Sequence, residues 1–401
     1  MRLMSHSREK RITVENRSIV SIVRASRYDL AELVPALKKC LDKIGGLQAI
    51  VHSGDKVFIK INHLSPPSPP EKGIVTHPVF TEAVIILLKE TGAIITVGDD
   101  IEEEGEDGFK ISGYHEMCER HGVRLINLRQ SGFAEKNCDG KILKNIFISK
   151  IVMETDVIIN LPKFKTHSLN VFTGGIKNMY GIIPAGLRRR FHSDYLNLDD
   201  FAQMLVDIYA AAKPALNIID GIMAMEGEGP GSGVIRNLGL VLASRDGVAL
   251  DAVAGGIIGL KPEDVLTTRA AGARGLGMSD LQKIDVEGEL CASQVVSDFK
   301  LPAAGYRTAM KHTPRGIVKY VLEQTSPRPR IKRKNCTACA KCVKICPAGA
   351  ATMMGKTSAI NDKICIRCMC CHEVCRFNAI YIDRPFLGAV IYGRVRIARR
   401  R

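Results

Sequence analysis

The chain has 401 residues, 46% hydrophobic and 25% charged, with 57 Lys and Arg against 42 Asp and Glu for a net charge of +15. That composition supports a buried core without disulfides and excludes a generally disordered chain. No apolar run is long enough to span a bilayer and Met1–Lys10 has no apolar stretch like a secretory signal, so the expectation is a soluble cytoplasmic protein of one large or two to three ordinary domains.

Residues 1–300 read as one α/β unit, a mainly parallel or mixed sheet covered by helices. Short β-branched runs predict strands at Ser18–Val23, Val57–Asn62, Ile94–Asp99, Val123–Leu128, Val157–Leu161, Leu216–Asp220 and Leu238–Ser244. Longer amphipathic segments predict helices at Leu30–Ile44, Val79–Thr91, Leu198–Ala212 and Val248–Ile258, with Gly45-Gly46 and Gly92 as stops for the first two. Three long loops interrupt the alternation: a Pro-rich one at Leu64–Pro70, an acidic one at Asp99–Asp107 and a Gly-rich one at Glu226–Gly233. Residues 301–330 read as a helix, Pro314–Gln324, and an extended linker, Pro327-Arg328-Pro329-Arg330. A Cys-rich segment occupies 331–383 and a basic tail 384–401.

Several predicted strands end in polar residues: Lys60 and Asn62, Asp99, Asn160 with Lys163, Asp220, and Ser244 with Asp246. In open α/β sheets ligands bind at the carboxyl ends of the strands, so these residues predict a crevice there. The richest donor stretch runs from Asn160 to Ser168 and from Thr173 to Gly181. Gly174-Gly175 is expected to open a short helix whose N-terminus favours an anion, and Arg188-Arg189-Arg190 follows closely. Lys60, Asn62, Lys163, Lys165, Lys177 and Asn178 are the candidate residues for an anionic small molecule. His167 and His77 are the candidate proton donors, because imidazole titrates near neutral pH. Neither a P-loop nor a Gly-x-Gly-x-x-Gly fingerprint occurs, and no Ser/His/Asp order or His-Glu-x-x-His pattern stands out, so no standard nucleotide site is expected.

The cysteines carry the strongest signal. Of 13, four (Cys40, Cys118, Cys138, Cys291) are scattered, and nine lie between Cys336 and Cys375. Cys336-x2-Cys339-x2-Cys342-x3-Cys346-Pro347 reappears 29 residues later as Cys365-x2-Cys368-x2-Cys371-x3-Cys375, with Cys370 as an extra thiol. Three cysteines at x2 spacing wrap one cube, and the fourth reaches the other cube. Two [4Fe–4S] clusters are therefore expected, one on Cys336, Cys339, Cys342 and Cys375, the other on Cys365, Cys368, Cys371 and Cys346. Zinc fits the spacing poorly, since its sites usually pair two Cys-x2-Cys knuckles. Thiolates gathered in one segment also argue for a reducing compartment.

With these motifs, residues 331–383 resemble a bacterial two-cluster ferredoxin, a small ferredoxin-like α+β iron–sulfur domain. Arg376 stands where that family usually has proline after the fourth cysteine. The N-terminal unit resembles the domain of unknown function 362 (DUF362) family, through Gly54–Asn62, Thr76-His77-Pro78, Asn160–His167, Lys177–Gly181, Asp220-Gly221-Ile222 and Ser244–Val253. That family name implies domain identity and no substrate.

Residues 331–401 hold 15 basic and three acidic side chains, or +12 of the total charge. A basic surround raises the potential of an anionic cluster and steers an acidic electron donor or acceptor protein to it. The expected function is electron transfer coupled to redox chemistry on an anionic small molecule. The alternative is a non-catalytic electron carrier or adaptor that docks a partner enzyme. The tail, with Arg394, Arg396, Arg399, Arg400 and Arg401 beside apolar Phe386–Val390, suits peripheral membrane contact. Scarce aromatics, 5% with no Trp, make nucleic acid an unfavoured partner.

Overall fold

The computed structural model describes all residues except 1–16, 65–66, 102–107, 168–169, 196, 232, 290–294, 303–327, 347, 366–369, 374, 376, 378 and 384–401. The expected helix at Pro314–Gln324, the heart of the acidic loop and the basic tail lie outside the described residues.

The β-branched runs become strands: β1 (Ser18–Arg24), β2 (Lys56–Ile61), β3 (Ile94–Asp99), β4 (Arg124–Asn127), a separate hairpin of β5 (Phe133–Asn137) and β6 (Asn145–Ser149), β7 (Val157–Leu161), β8 (Lys163–His167), β9 (Val171–Thr173), β10 (Leu216–Glu226), β11 (Val234–Ser244) and β12 (Ile284–Gly288). The main sheet runs β12-β1-β11-β10-β7-β2-β3-β4, with β8 beside β10 and β9 beside β8. The strands β10, β7, β2, β3 and β4 run parallel to one another, and β11 is antiparallel to both β10 and β1. Pro162 divides β7 from β8. Leu216–Asn217 of β10 pair with β7, whereas Asp220 and Met225 pair with Lys163 and Lys165 of β8.

Alternation along the central strand explains the two-sided core. Val57, Ile59 and Ile61 pack with Leu33, Leu37, Phe80 and Leu88 of the helices Leu30–Asp42 and Pro78–Lys89. Phe58 packs on the other side with Met204, Leu205 and Ile208 of the helix Leu198–Ala211. Each helix starts where its cap allows. Asp29, Asn197 and Asp246 accept backbone N–H bonds at three of these N-termini, and Pro78 occupies the first helical position of the fourth behind His77. The seven expected strands and four expected helices of this unit all form. Cys40 and Cys118 are buried, and burial pushes both thiols up to about 12, which keeps them inert.

In the Cys-rich segment, β13 (Arg328–Ile331) pairs antiparallel with β16 (Ile380–Asp383), and β14 (Ala351–Met354) with β15 (Thr357–Ile360). Arg328 to Arg330 are thus a strand, not a spacer. Arg328 to Ile331 pair with Asp383 to Ile380 across the segment. No helix among the described residues is long and apolar enough to cross a membrane.

One buried carboxylate ties the hairpin to the helix Leu198–Ala211. Asp207 accepts from the N–H groups of Lys141, Ile142 and Leu143 at 2.7–2.8 Å and pairs with Arg274 at 2.6 Å. Asp207→Ala strands those donors, and urea unfolding should show a loss of about 3 kcal/mol. A loss within experimental error would mean that the carboxylate does not hold the loop.

Candidate functional site

The parallel strands bring their carboxyl ends to one edge, and charged side chains gather there while buried. Lys163, Lys165 and His167 occupy alternate positions of β8, so they share one face, and all three are buried. Lys60 ends β2 and pairs with Asp99 at the end of β3 at 2.9 Å. Lys163 pairs with Asp220 at 2.7 Å and also donates to the Tyr28 hydroxyl at 2.7 Å. Tyr28 donates in turn to Asp220 at 2.8 Å. Burial presses both lysines down and the facing carboxylates pull them back up.

An amide chain links the strand ends. Asn62 Nδ2 donates to Asn178 Oδ1 at 2.8 Å, Asn178 Nδ2 to Asn160 Oδ1 at 2.7 Å, and Asn160 Nδ2 to Asn217 Oδ1 at 2.9 Å. Asn62 and Asn178 thereby link β2, β7, β10 and the short helix Gly175–Asn178. Close approach at Gly181 serves the same layer. A Cβ there would meet Asp99 Oδ1 and lie 2.6 Å from Lys60 Nζ.

Two lysines remain without a carboxylate at ion-pair distance among the described residues. Lys165 Nζ donates to Asn62 Oδ1 at 2.6 Å and to the Ile74 carbonyl at 2.9 Å. Lys177, partly exposed, lies 4.5 Å from the Tyr180 ring centre. Burial lowers both amines to about 7, helped by Lys177 acting on Lys165 and by Arg188 and Lys60 acting on Lys177.

Gly174-Gly175 does open a short helix, but its N-terminus already holds an anion. Asp251 accepts from Gly175 N–H at 2.6 Å and Ile176 N–H at 3.1 Å, and burial raises it to about 7. That side chain, 76 positions from Gly175 in the chain, occupies two N–H groups at this helix end. The two candidate proton donors are both held neutral by burial. His77 is lowered to about 4, accepts from Val79 N–H through Nδ1 at 3.2 Å, and stacks on Tyr28 with centroids 3.7 Å apart. His167 is lowered by burial and by the Lys177 charge, and its Nδ1 accepts from Asn170 N–H at 3.4 Å.

Arg188, outside the expected site set, donates to Asp100 at 2.8 Å, and Arg129 reaches the same carboxylate at 2.6 Å. Thr173, opposite Lys165 across β8 and β9, is buried with its hydroxyl unpartnered. A cavity of about 390 Å³ lies elsewhere, beside β4, lined by Phe109, His115, Cys118, Glu119, Asn127 and Gln130 and by none of the lysines.

In the small unit, Cys342, Cys371 and Ile380 form a core with Ile331, Val343, Ile360 and Cys375. Cys342 and Cys336 Sγ lie 3.4 and 3.8 Å from the one Ser358 hydroxyl, and Ala379 N–H donates to Cys375 Sγ at 3.3 Å. Ala338 and Ala340 have φ of 57° and 55°, which curls the backbone between the first three cysteines. The Ala338 N–H, ahead of Thr357 and Ser358, lowers the Cys336 thiol to about 7. Among the described residues, no group of three or more His, Cys, Asp or Glu is gathered closely enough to hold a metal ion, and Cys368 lies outside them.

The fold and its strand-end layer define a mixed α/β protein with buried charge at the carboxyl edge of a largely parallel sheet. The model of the family described as domain of unknown function (DUF362) matches residues 57–255, which contain the whole lysine layer. A thylakoid-associated protein of Synechocystis sp. is 33% identical over 259 residues, covering 64% of this chain and 79% of its own. The chain belongs to the DUF362 family. Among solved structures, it is similar to the lactate racemase apoprotein from Thermoanaerobacterium thermosaccharolyticum at 15% identity and a TM-score of 0.39, over 58% of this chain and 55% of that one. It is also similar to a Thermotoga maritima structural-genomics protein at 13% identity and a TM-score of 0.35, over 56% and 57%. The chain spans little more than half the length of either.

Lys165 and Lys177 bind fewer protons folded than unfolded between about pH 7 and 10.4, so their contribution to stability rises with pH across that window. Lys165→Met removes one of the two titrations. Urea unfolding at steps across the window should show wild type gaining on the variant as pH rises. A constant difference would mean that Lys165 titrates normally.

Proposed function

We propose that this protein carries two [4Fe–4S] clusters for electron transfer and couples them to redox chemistry on an anionic small molecule at the strand-end lysine layer. The observation that carries the first part is the repeated cysteine spacing, supported by the packing of Cys342, Cys371 and Cys375 in one small cluster. Cys336, Cys339, Cys342 and Cys375 would hold one cluster, and Cys365, Cys368, Cys371 and Cys346 the other. Soft thiolates, a lowered Cys336 and an N–H donor to Cys375 suit iron–sulfur ligation. Bound clusters would supply electrons one at a time. The second part rests on Lys165 and Lys177, buried or half-buried amines with no carboxylate at ion-pair distance among the described residues.

One observation favours a carrier or adaptor as a second reading. His77 and His167 are both kept neutral by burial, so neither stores a proton near pH 7 for the substrate. An acidic protein is the favoured electron partner, since Lys332, Arg333, Lys334, Lys341, Lys344 and Lys363 are exposed around Cys339, itself exposed. The basic tail and the name of the cyanobacterial relative favour peripheral contact with an anionic membrane surface. Sedimentation with anionic vesicles that high salt abolishes is the expected result, and no sedimentation at low salt removes that contact.

Anaerobic reconstitution should give about eight iron and eight sulfide per chain, falling to about four of each in Cys339→Ser. Colourless protein with stoichiometric zinc would overturn the cluster reading. Reoxidation of the reduced protein by small anions, and not only by protein acceptors, separates the enzyme from the carrier.

A further inference from the structure

Lys177 stands among cations. The charges of Lys60 on β2 and Arg188 on the helix Ala185–Asp194 act on it, it acts in turn on Lys165 of β8, and His192 of that helix is held neutral by burial. The carboxylate nearest in effect, Asp99 of β3, is committed to Lys60. Asp251, at the start of the helix that bears Lys177, is committed to two backbone N–H groups. Lys177 therefore has the Tyr180 ring face and partial access to solvent, and no acceptor among the described residues to hold its proton.

Beside it, Lys165 has three donors and uses two, on Asn62 and Ile74. The Thr173 hydroxyl, 3% exposed and without a hydrogen-bond partner, sits across from Lys165. A donor from each is thus left over on one strand face, a set that suits a single carboxylate.

We propose that Lys177 Nζ is an amine nucleophile toward the carbonyl carbon of a small oxo acid, whose carboxylate is received by Lys165 and Thr173. This deepens the anion reading of the lysine layer and rests on it. The nitrogen lone pair forms the C–N bond. Both amine hydrogens leave with the carbonyl oxygen as water, and C=N replaces C=O with no net change in electrons. Burial and neighbouring charge hold the amine near 7, so much of it is uncharged at neutral pH, unlike a surface lysine.

The test uses the full chain with glyoxylate and cyanoborohydride at pH 7, with peptide mapping by mass spectrometry. Lys177 should be alkylated on the order of tenfold faster than exposed lysines such as Lys332 and Lys363. Oxalate, an anion with no aldehyde or ketone, should slow that labelling, and Lys177→Arg should abolish it while the far-UV circular dichroism of the native fold is retained. Labelling of Lys177 no faster than the exposed lysines overturns the nucleophile. If oxalate still raises the melting temperature in that case, the anion reading survives alone. If it does not, both fall.

Discussion

The structure turns on burying positive charge at the carboxyl ends of parallel strands. An ammonium removed from water is costly unless paired or well hydrogen-bonded. The sheet meets that cost unevenly. Lys60 and Lys163 face Asp99 and Asp220 from neighbouring strands, so each pair closes one seam of the sheet. Lys165 is left with an amide oxygen and a carbonyl, and Lys177 with an aromatic face. The surplus sits inside one layer that the Asn62–Asn178–Asn160–Asn217 chain makes rigid.

Much of this was legible in the sequence where the signal is local. Runs such as Val57–Ile61 and Ile94–Asp99 are strands because they alternate or fill with β-branched residues. The helix starts at Asp29 and Asp246 follow from capping chemistry. The eight-cysteine repeat is readable because its information lies in spacing. What escaped depends on distant partners. Lys163-x-Lys165-x-His167 has the period of a strand, yet charged residues hide that pattern until Asp220 and Asn62 are known to face them. Asp251 at the Gly175 helix, and β12 beside β1, join segments far apart in the chain. Pro327–Arg330 reads as a spacer in the sequence because the strand that pairs with Arg328–Ile331, Ile380–Asp383, comes some 50 residues later.

The same division applies to the small unit. Pairing β13 with β16 ties its two ends together, and the β14–β15 hairpin supplies Ser358 beneath Cys336 and Cys342. Closure of the ends accompanies the packing of Cys342 from one repeat with Cys371 and Cys375 from the other. The basic residues are concentrated around this unit, whereas the first 330 residues are nearly balanced in charge. Steering of a partner would therefore act at the thiol-rich end, and binding of a small anion at the strand-end layer.

The most direct measurement is the titration of the two surplus lysines by NMR of lysine labelled with ¹³C at Cε, assigned with Lys165→Arg and Lys177→Arg. The account predicts two Cε signals with midpoints near 7 in the ligand-free protein. Midpoints near the ordinary value of about 10.4 for both would contradict it, because the layer would then hold no uncompensated buried charge.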